Sequence, residues 1–285
     1  MDEWIQISID ADFDAPEFLG LLDDESLAGG WQEEGRLHLY WRRDQWDPQT
    51  MGTISRLVGP LIRTGSGRIS MTVIPDQDWN RAWCNSVKPI RVGRRLVIRP
   101  SWDHIAVGPE DVVLVLDPKQ AFGTGHHATT QLLLEWLQDH VRGGERVLDV
   151  GTGSGILAMA ALRLGARSAV GIDLDAVAIE CAESYARDNG FGDELTLRTS
   201  SLLELAPSTW DLVLANLNRR TLLELKRELC ARLTRSGRLV MSGLLREDRD
   251  EMVGAFHDAG LGLQDAQSRG EWVALHFVRD AREGS

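Results

Sequence analysis

A glycine-rich turn between two apolar segments is the part of this sequence best suited to bind a ligand. Residues 147–150 form an apolar segment that runs into three glycines, and a second apolar segment, 170–172, ends in Asp173. Glycines let the backbone approach a ligand closely, and a carboxylate about 20 residues further on accepts hydrogen bonds from the hydroxyls of a ribose. The pattern predicts the nucleotide-binding crossover of an open parallel sheet.

The spacing of the glycines distinguishes between two kinds of ligand. A pyrophosphate-binding turn reads G-x-G-x-x-G and aims a helix N-terminus at two phosphates. Here Gly151, Gly153 and Gly155 make the tighter G-x-G-x-G turn, which resembles the first motif of S-adenosylmethionine-dependent methyltransferases. That cofactor carries a methionine moiety and an adenosine, and no phosphate. Together with Asp173, the turn therefore favours S-adenosylmethionine over a dinucleotide.

A second glycine-rich segment, residues 117–130, precedes this turn. It places Phe122 and two histidines in a Gly-Thr-Gly loop immediately before a helix. We expect a lid over the methionine end of the cofactor, with an ordinary loop and helix cap as the alternative. His126 and His127 have no Cys, Asp or Glu at ligand spacing, so a metal site is not expected.

The third candidate is Asn216, which ends the apolar segment 210–215. Doubly wound sheets bind their ligands at the carboxyl edge, where such a residue would lie. A carboxamide oxygen there can accept a hydrogen bond from an amine and leave the amine lone pair directed at a sulfonium methyl. Amino-group methyltransferases commonly carry Asn at this position, often as Asn-Pro-Pro-Tyr, whereas this chain reads Asn-Leu-Asn. An Asx turn after a strand is the alternative.

Size and composition limit the class of protein. A chain of 285 residues can form one large domain and a smaller one. No apolar run approaches the roughly 20 residues that span a bilayer, and the acidic N-terminus is unlike a signal peptide. Three widely spaced cysteines indicate buried thiols in a cytoplasmic protein. The net charge of -12 argues against a nucleic-acid partner and is compatible with a basic protein substrate.

The order of elements in residues 1–75 predicts a small separate domain. Strand 4–9, helix 16–22, strands near 31 and at 37–41, helix 48–62 and strand 69–74 give the order β-α-β-β-α-β. This order is typical of the ferredoxin-like fold. Residues 1–35 hold eleven Asp or Glu and no Lys or Arg, which indicates either a solvated face or a docking surface for a basic partner.

Residues 76–103 are predicted to form a linker with a different character. It should contain a helix from residue 78 to about 88 and a strand over 91–102. Six basic residues and no acidic ones lie between Trp79 and Trp102. Beside an acidic domain, these charges are expected to form intramolecular pairs or to lie over tryptophan rings, in preference to contacting nucleic acid.

Residues 104–285 alternate between helix and strand, as a doubly wound sheet does. The predicted elements are helix 128–140, strand 146–150, helix 154–164, strand 169–172, helix 176–188, strand 195–198, strand 211–215, helix 221–233, strand 238–242 and helix 247–259. The chain then ends in two strands, 261–266 and 272–278, with no helix between them. An antiparallel last strand is the methyltransferase version of this fold. The fold class is therefore α/β, a seven-stranded doubly wound methyltransferase sheet with a small N-terminal ferredoxin-like α/β domain.

Four motifs, taken together, identify a family. They are Ala-Phe-Gly-Thr-Gly-x-His-x-Thr-Thr, Gly-x-Gly-Ser-Gly-Ile-Leu-Ala, Gly-Ile-Asp-x-Asp and a strand end Ala-Asn, in this order. With the segment 89–102, they resemble the PrmA family, which methylates large-subunit ribosomal protein eleven. The motifs cover residues 79–280, and residues 1–75 match only in size and α/β character. Lys119 and Ala128 depart from the small residue and the proline that are frequent in the family.

The resemblance implies a monomeric enzyme that moves methyl groups from S-adenosylmethionine to lysine ε-amines and the α-amine of that ribosomal protein. The N-terminal domain would grip the substrate, and the linker would let the catalytic domain reach several amines. Cofactor contacts carried over by motif position fall on Thr130, Gly151, Gly153, Asp173 and Asn216. Asn216 would orient the amine under Phe122 of the lid, and His127 is the candidate for a base.

Parts of the sequence are also compatible with three other functions. A nicotinamide-dependent oxidoreductase is disfavoured by the glycine spacing and by the terminal hairpin. A methyltransferase acting on another protein's lysines or on a small amine fits the same motifs. A non-catalytic binding module is disfavoured because the lid segment, the turn, the carboxylate and the asparagine are all present.

Overall fold

The chain folds into two units. The computed structural model describes residues 3–10, 22, 24, 26–33, 36–61, 68–75, 88–117 and 125–279. Contacts between backbone positions divide the chain into Met1–Ser86 and Val87–Ser285. No helix in the described ranges is long and apolar enough to cross a membrane.

The first unit contains a four-stranded antiparallel sheet. Its elements are β1 (Glu3–Asp10), β2 (Leu27–Glu33), β3 (Arg36–Arg42), α1 (Pro48–Leu61) and β4 (Arg68–Pro75). The strand order β2-β3-β1-β4 is that of the predicted ferredoxin-like pattern. Alternate residues of β1, Ile5, Ile7 and Ile9, are buried in one core with Ile54 and Val58 of α1. The predicted helix 16–22 lies outside the described residues apart from Leu22.

The acidic run of residues 1–35 contributes to the fold of this unit. Three of its carboxylates, on Glu3, Asp10 and Asp24, have described side chains, and all three bind other residues of the unit. Their partners are Arg43 for Glu3, Arg36 for Asp10, and Ser26 with Trp41 for Asp24. These three side chains hold strands and turns together, so a docking surface would have to use the remaining acidic residues.

The second unit begins with a three-stranded sheet in the order β5-β6-β7. Its strands are β5 (Ile90–Val92), β6 (Leu96–Arg99) and β7 (Val112–Val115). The predicted single strand over 91–102 is wrong, because Gly93 adopts a φ of 61° and turns the chain into a hairpin. Gln138 of the following helix, α2 (Ala128–His140), stabilises that turn by accepting from the amides of Arg94 and Arg95 at 3.0 and 2.8 Å.

The basic residues of the segment 88–103 pair within the second unit. Arg91 makes two hydrogen bonds to the carboxylate of Asp111, at 2.8 and 2.7 Å, and Arg94 pairs with Asp139. The hydrogen bonds from Arg91 lower the pKa of Asp111 to about 2. The expectation of intramolecular pairing is confirmed for these two arginines.

A seven-stranded sheet forms the body of the second unit. Its elements are β8 (Arg146–Val150), α3 (Ile156–Arg163), β9 (Ser168–Asp173), α4 (Ala176–Asp188), β10 (Leu195–Thr199), β11 (Trp210–Asn216), α5 (Arg219–Glu224), α6 (Lys226–Ala231), β12 (Leu233–Leu245), α7 (Arg249–His257), β13 (Leu261–Arg269) and β14 (Trp272–Arg279). The strand order is β10-β9-β8-β11-β12-β14-β13. Strands β8 to β12 pair in parallel, whereas β14 pairs antiparallel with both β12 and β13. The predicted fold class is confirmed.

Two apolar cores cover the two faces of this sheet. Successive side chains of a strand point to opposite faces, so Leu212 and Leu214 of β11 enter one core while Val213 and Ala215 enter the other. The sheet is thereby buried on both faces, and its carboxyl edge is the part left for a ligand.

One predicted helix is divided in the structure. The segment predicted as helix 221–233 consists of α5 and α6, which are separated at Leu225. Leu233 is already in β12, because it pairs with Trp210 of β11 and so leaves the helical path earlier than its apolar periodicity indicates. Because of this early pairing, Arg232 lies between the end of α6 and the start of β12.

Candidate methyl-transfer site

The glycine turn has a backbone conformation that favours glycine at three positions. Gly151, Gly153 and Gly155 have φ values of 71°, 54° and 77°. Residues with a β-carbon rarely adopt such angles. The amides of Gly151 and Thr152 both donate to the carbonyl of Ile172 at 2.9 Å, which fixes the turn against β9.

Asp173 lies against this turn, as the sequence predicted. Its Oδ2 accepts a hydrogen bond from the amide of Gly153 at 2.9 Å, and its Oδ1 accepts from the amide of Asp175 at 3.1 Å. Asp175 in turn caps α4 through the amide of Val177. The carboxylate is half-buried and held by backbone donors, which leaves its remaining lone pairs for the hydroxyls of a ribose.

Asp149 is a functional candidate that the sequence analysis missed. It is completely buried two residues before Gly151, and the hydroxyl of Thr152 donates to its Oδ2 at 2.7 Å. Its Oδ1 has no hydrogen-bond partner among the described residues. Burial, with a smaller contribution from the nearby carboxylate of Asp173, raises the pKa of Asp149 to about 7. An orphaned carboxylate oxygen beside the turn suits a cationic group of a ligand.

Asn216 and Thr130 meet at the carboxyl edge of the sheet. Nδ2 of Asn216 donates to Oγ1 of Thr130, a buried residue in the first turn of α2, at 3.3 Å. Because the amide nitrogen is used in this bond, the carboxamide oxygen is turned to the other side. Two residues that were predicted from separate motifs therefore lie in one site.

Leu217 joins the Asn216 strand end to the glycine turn. A β-carbon on Gly151 would lie 2.4 Å from Cδ2 of Leu217, so the leucine side chain packs directly on the turn. Gly243 lies on the other side, where a β-carbon would be 2.4 Å from the Leu217 carbonyl oxygen. The second asparagine of the motif, Asn218, caps α5 by accepting from the amide of Thr221 at 2.9 Å, so its role is structural.

His127 caps α2 and contacts a tryptophan that the sequence analysis did not select. Its Nδ1 accepts from the amide of Thr129 at 3.4 Å and lies 2.7 Å from the Thr129 hydroxyl. The imidazole ring packs edge-on against the ring of Trp272, with 5.0 Å between centroids. Trp272 begins β14 opposite Leu245, the last residue of β12, which brings it to the carboxyl edge. No local pattern links the two residues, since they lie far apart in the sequence.

The predicted lid falls mostly outside the described residues. Residues 118–124, which include Phe122, are not among the described residues, so the lid stays a prediction. Its C-terminal end is described at Gly125, where φ is 83° and a β-carbon would lie 2.4 Å from Cδ1 of Ile98. Nowhere in the described ranges do three His, Cys, Asp or Glu residues lie close enough to hold a metal ion.

Two exposed leucines mark the end of the site beyond Asp173. Leu174 follows β9 and is 77% exposed, and Leu203 lies in the loop after β10 and is 67% exposed. β9 and β10 are neighbours in the sheet, so both leucines follow adjacent strand ends. Exposed apolar side chains beside a ligand cleft suit a flat apolar group such as a nucleobase.

The combined residues fit S-adenosylmethionine. Asp173 has acceptor capacity for ribose hydroxyls, Asp149 has a carboxylate oxygen without a partner among the described residues, and Leu174 and Leu203 are exposed apolar side chains that would suit an adenine. The close approach of backbone at the turn needs glycine, which agrees with a ligand that lies on the turn itself.

Comparison with known proteins decides the family. The model of the family described as ribosomal protein L11 methyltransferase (PrmA) matches residues 22–280. The chain belongs to the PrmA family. As a member, it is a methyltransferase that uses S-adenosylmethionine.

Individual PrmA-family proteins match over most of the chain. The ribosomal protein L11 methyltransferase of Ralstonia nicotianae is 37% identical over 280 residues, which cover 95% of this chain and 89% of the relative. That of Pelobacter propionicus is 43% identical over 218 residues, covering 74% and 70%. The crystal structure of ribosomal protein L11 methylase from Lactobacillus delbrueckii subsp. bulgaricus has a TM-score of 0.64 at 32% identity, covering 68% of this chain and 99% of that one.

Proposed function

We propose that this chain methylates lysine ε-amines and the N-terminal α-amine of large-subunit ribosomal protein L11. The family description and the relatives carry this substrate in their names. The observation that carries the proposal is the packing of Leu217 on Gly151, because it brings Asn216 directly beside the turn that would bind the cofactor. An amine bound at Asn216 is thereby next to the methyl donor.

The first task of the site is to hold the cofactor in one orientation. When bound, S-adenosylmethionine supplies a methyl group that is already activated by the sulfonium. Asp173 would accept hydrogen bonds from the ribose, and the orphaned Oδ1 of Asp149 would face the positive charge of the methionine moiety. Leu174 and Leu203 would border the adenine. Fixing the donor in this way converts binding energy into alignment for an in-line transfer.

The second task is to aim the amine. The Asn216 carboxamide is held by its bond to Thr130, so its oxygen presents a fixed acceptor. An amine that donates one N–H to this oxygen has its lone pair directed away from that bond and toward the methyl group. Methyl transfer to this amine would convert S-adenosylmethionine to S-adenosylhomocysteine, and the methylated ammonium would release a proton to water.

The third task is to admit a neutral amine. A lysine that leaves water for an apolar site has a lowered pKa, which favours the reactive form. We propose that His127 and Trp272 form one wall of this entrance. Nδ1 of His127 lies against the amide and the hydroxyl of Thr129 in the helix cap, so this nitrogen is used within the protein and the ring would act through its position.

We further propose that residues 1–75 recognise the ribosomal protein, and that the acidic side chains of residues 1–35 other than Glu3, Asp10 and Asp24 attract its basic surface. This division of labour is consistent with the two separate units. Opposite charges raise the rate of encounter and lose this effect at high salt.

The test of the proposed function is intact-mass analysis of purified L11 after incubation with enzyme and S-adenosylmethionine. We expect mass additions of one methylene unit each, and no additions with Asn216→Ala over the same time. N-acetyl-lysine and an unrelated basic ribosomal protein serve as controls. Methylation of a control at the rate of L11 would contradict the substrate assignment. A rise in melting temperature with NADH instead of S-adenosylhomocysteine would contradict the cofactor assignment.

A further inference from the structure

Arg232 is a buried arginine whose side-chain hydrogen bonds to described residues go to one loop. It lies between α6 and β12 and is only 5% exposed. Its Nη1 donates to the carbonyl of Ala206 at 2.7 Å, and its Nη2 donates to the carbonyls of Leu202 and Leu205 at 2.9 and 2.8 Å. The planar guanidinium thus fixes three carbonyl groups of a short segment at once.

The segment that Arg232 holds leads away from the ribose-binding end of the site. It follows β10, and the amide of Ser200 donates to the carbonyl of Asp173 at 2.9 Å. Leu202 and Leu205 are buried in the core below the sheet edge, whereas Leu203 between them is exposed. The loop is therefore anchored at Leu202 and Leu205 and leaves Leu203 exposed, shortly after the carboxyl end of β10.

The burial of a charge at this place calls for a specific reason. A buried guanidinium is costly unless it is fully hydrogen-bonded, and an apolar side chain of similar size would often fill such a site without loss of stability. Arg232 is the kind of residue that fixes geometry, since its fork holds carbonyl groups that a methionine would leave unsatisfied. What this geometry determines is the position of Leu203.

We propose that Arg232 is a positioning residue for cofactor binding: by holding the carbonyls of residues 202, 205 and 206 it fixes the loop that presents Leu203 to the adenine of S-adenosylmethionine. Arg232 acts through the loop and does not itself touch the cofactor. The inference rests on the proposed cofactor site and is independent of which protein is methylated.

Arg279 offers a matched control within the same sheet. It also donates to three carbonyl groups, those of Cys230, Leu233 and Thr234, at 2.7, 3.1 and 3.3 Å. It ends β14 and, like Arg232, lies at the amino edge of the sheet, but its carbonyl partners belong to the connection between α6 and β12 and not to the loop after β10. A lysine at either position keeps the positive charge and loses the fork.

The experiment compares binding of S-adenosylhomocysteine to the full-length wild type, Arg232→Lys and Arg279→Lys by titration calorimetry. We expect Arg232→Lys to raise the Kd by about tenfold, the change that one missing contact produces, and Arg279→Lys to leave it at the wild-type value. Arg232→Lys should also raise the KM for cofactor more than the KM for the protein substrate, a split that general destabilisation does not produce. Equal Kd values for Arg232→Lys and the wild type, or an equal loss in Arg279→Lys, would overturn the proposal.

Leu203→Ala provides a test that does not depend on a buried substitution. Leu203 is exposed, so the variant should fold, and we expect its Kd for S-adenosylhomocysteine to rise several-fold. An unchanged Kd would show that the loop does not contact the cofactor, and the role of Arg232 would fail with it. Calorimetry with S-adenosylhomocysteine needs no protein substrate, so a failure to methylate L11 with normal binding would count against the proposed substrate alone.

Discussion

Nδ2 of Asn216 donates to Oγ1 of Thr130 at 3.3 Å, across 86 positions of sequence. This bond fixes the rotation of the carboxamide and leaves its oxygen as the acceptor at the sheet edge. It also connects the first turn of α2 to the end of β11. The orientation of the amine acceptor is therefore set by a residue of a different motif, and both residues can be tested separately.

Asn216→Ala should lower kcat by roughly 100-fold while changing cofactor affinity little, because the lost hydrogen bond matters most at the transition state. Single-turnover methyl transfer at saturating cofactor measures this effect. Thr130→Val, which removes the acceptor for Nδ2 and keeps the shape, should reproduce part of the loss, and Thr130→Ser should restore it. A wild-type rate for Asn216→Ala would return the asparagine to the role of a turn residue.

Asp173→Ala should weaken S-adenosylmethionine binding by about 1.5–3 kcal/mol, the range for hydrogen bonds to a charged group. The carboxylate also accepts from the amides of Gly153 and Asp175, so the loss includes some order in the turn. Asp173→Asn keeps part of the acceptor capacity, so its affinity for S-adenosylmethionine should lie between those of the wild type and Asp173→Ala. Calorimetry on folded protein measures this affinity. An unchanged affinity in Asp173→Ala would mean that Asp173 does not bind the cofactor.

Asp149 should make stability fall as pH rises. Burial raises its folded pKa to about 7 from the ordinary 3.8, so the native state holds a proton that the unfolded state releases. The cost is absent below about pH 4 and is complete above about pH 7, reaching as much as about 4 kcal/mol at about 1.4 kcal/mol per pKa unit. Asp149→Asn should therefore gain stability relative to wild type between pH 5 and pH 8.

Denaturant unfolding at several pH values measures this difference. Asp250→Asn, which changes an exposed carboxylate of α7, is the matched control and should follow the wild-type curve. A constant difference between wild type and Asp149→Asn across this range would mean that Asp149 titrates alike in both states.

Removal of the first unit should separate cofactor binding from substrate recognition. A shortened chain that begins near residue 79 keeps the second unit and should bind S-adenosylhomocysteine with unchanged affinity. It should fail to methylate L11, because the recognition surface is gone. Added salt should slow the intact enzyme by weakening attraction to a basic partner. A shortened chain that methylates L11 at the full rate would contradict the docking role of residues 1–75.

His127 should act through its position and not as a base. His127→Asn keeps a helix-capping acceptor and removes the ring, whereas His127→Ala removes both and should cost about 1 kcal/mol of stability. We expect His127→Asn to keep the shape of the wild-type pH–rate profile with a modest loss in kcat/KM. The disappearance of one limb of that profile would instead identify His127 as a proton acceptor.

The sequence predicted the positions of two candidate residues at strand ends, and the structure places both there. Asp173 and Asn216 were found because an apolar strand that ends in a polar residue marks the carboxyl edge of a parallel sheet. Asp149 was missed because a carboxylate inside an apolar run looks like part of the strand, and its missing partner is visible only in three dimensions. Trp272 and Arg232 make contacts between distant segments, for which periodicity gives no signal.

The errors in secondary structure have the same cause. The segment 91–102 has the composition of one strand, yet it turns at Gly93, where Oε1 of Gln138 accepts hydrogen bonds from the two following amides. The early start of β12 reflects pairing of Leu233 with Trp210. β7 was not predicted, since its four residues are too few to show a pattern.

Leu217 lies between two glycines, with Gly151 against its side chain and Gly243 against its carbonyl. This arrangement offers a route to an altered enzyme. Shortening the side chain, as in Leu217→Ala, would open space beside the turn without removing the hydrogen bonds that hold Asp173 and Asn216. Such a variant is a starting point for accepting cofactor analogues that carry a bulkier transferable group, so that labelled substrates could be distinguished from those modified by the native enzyme.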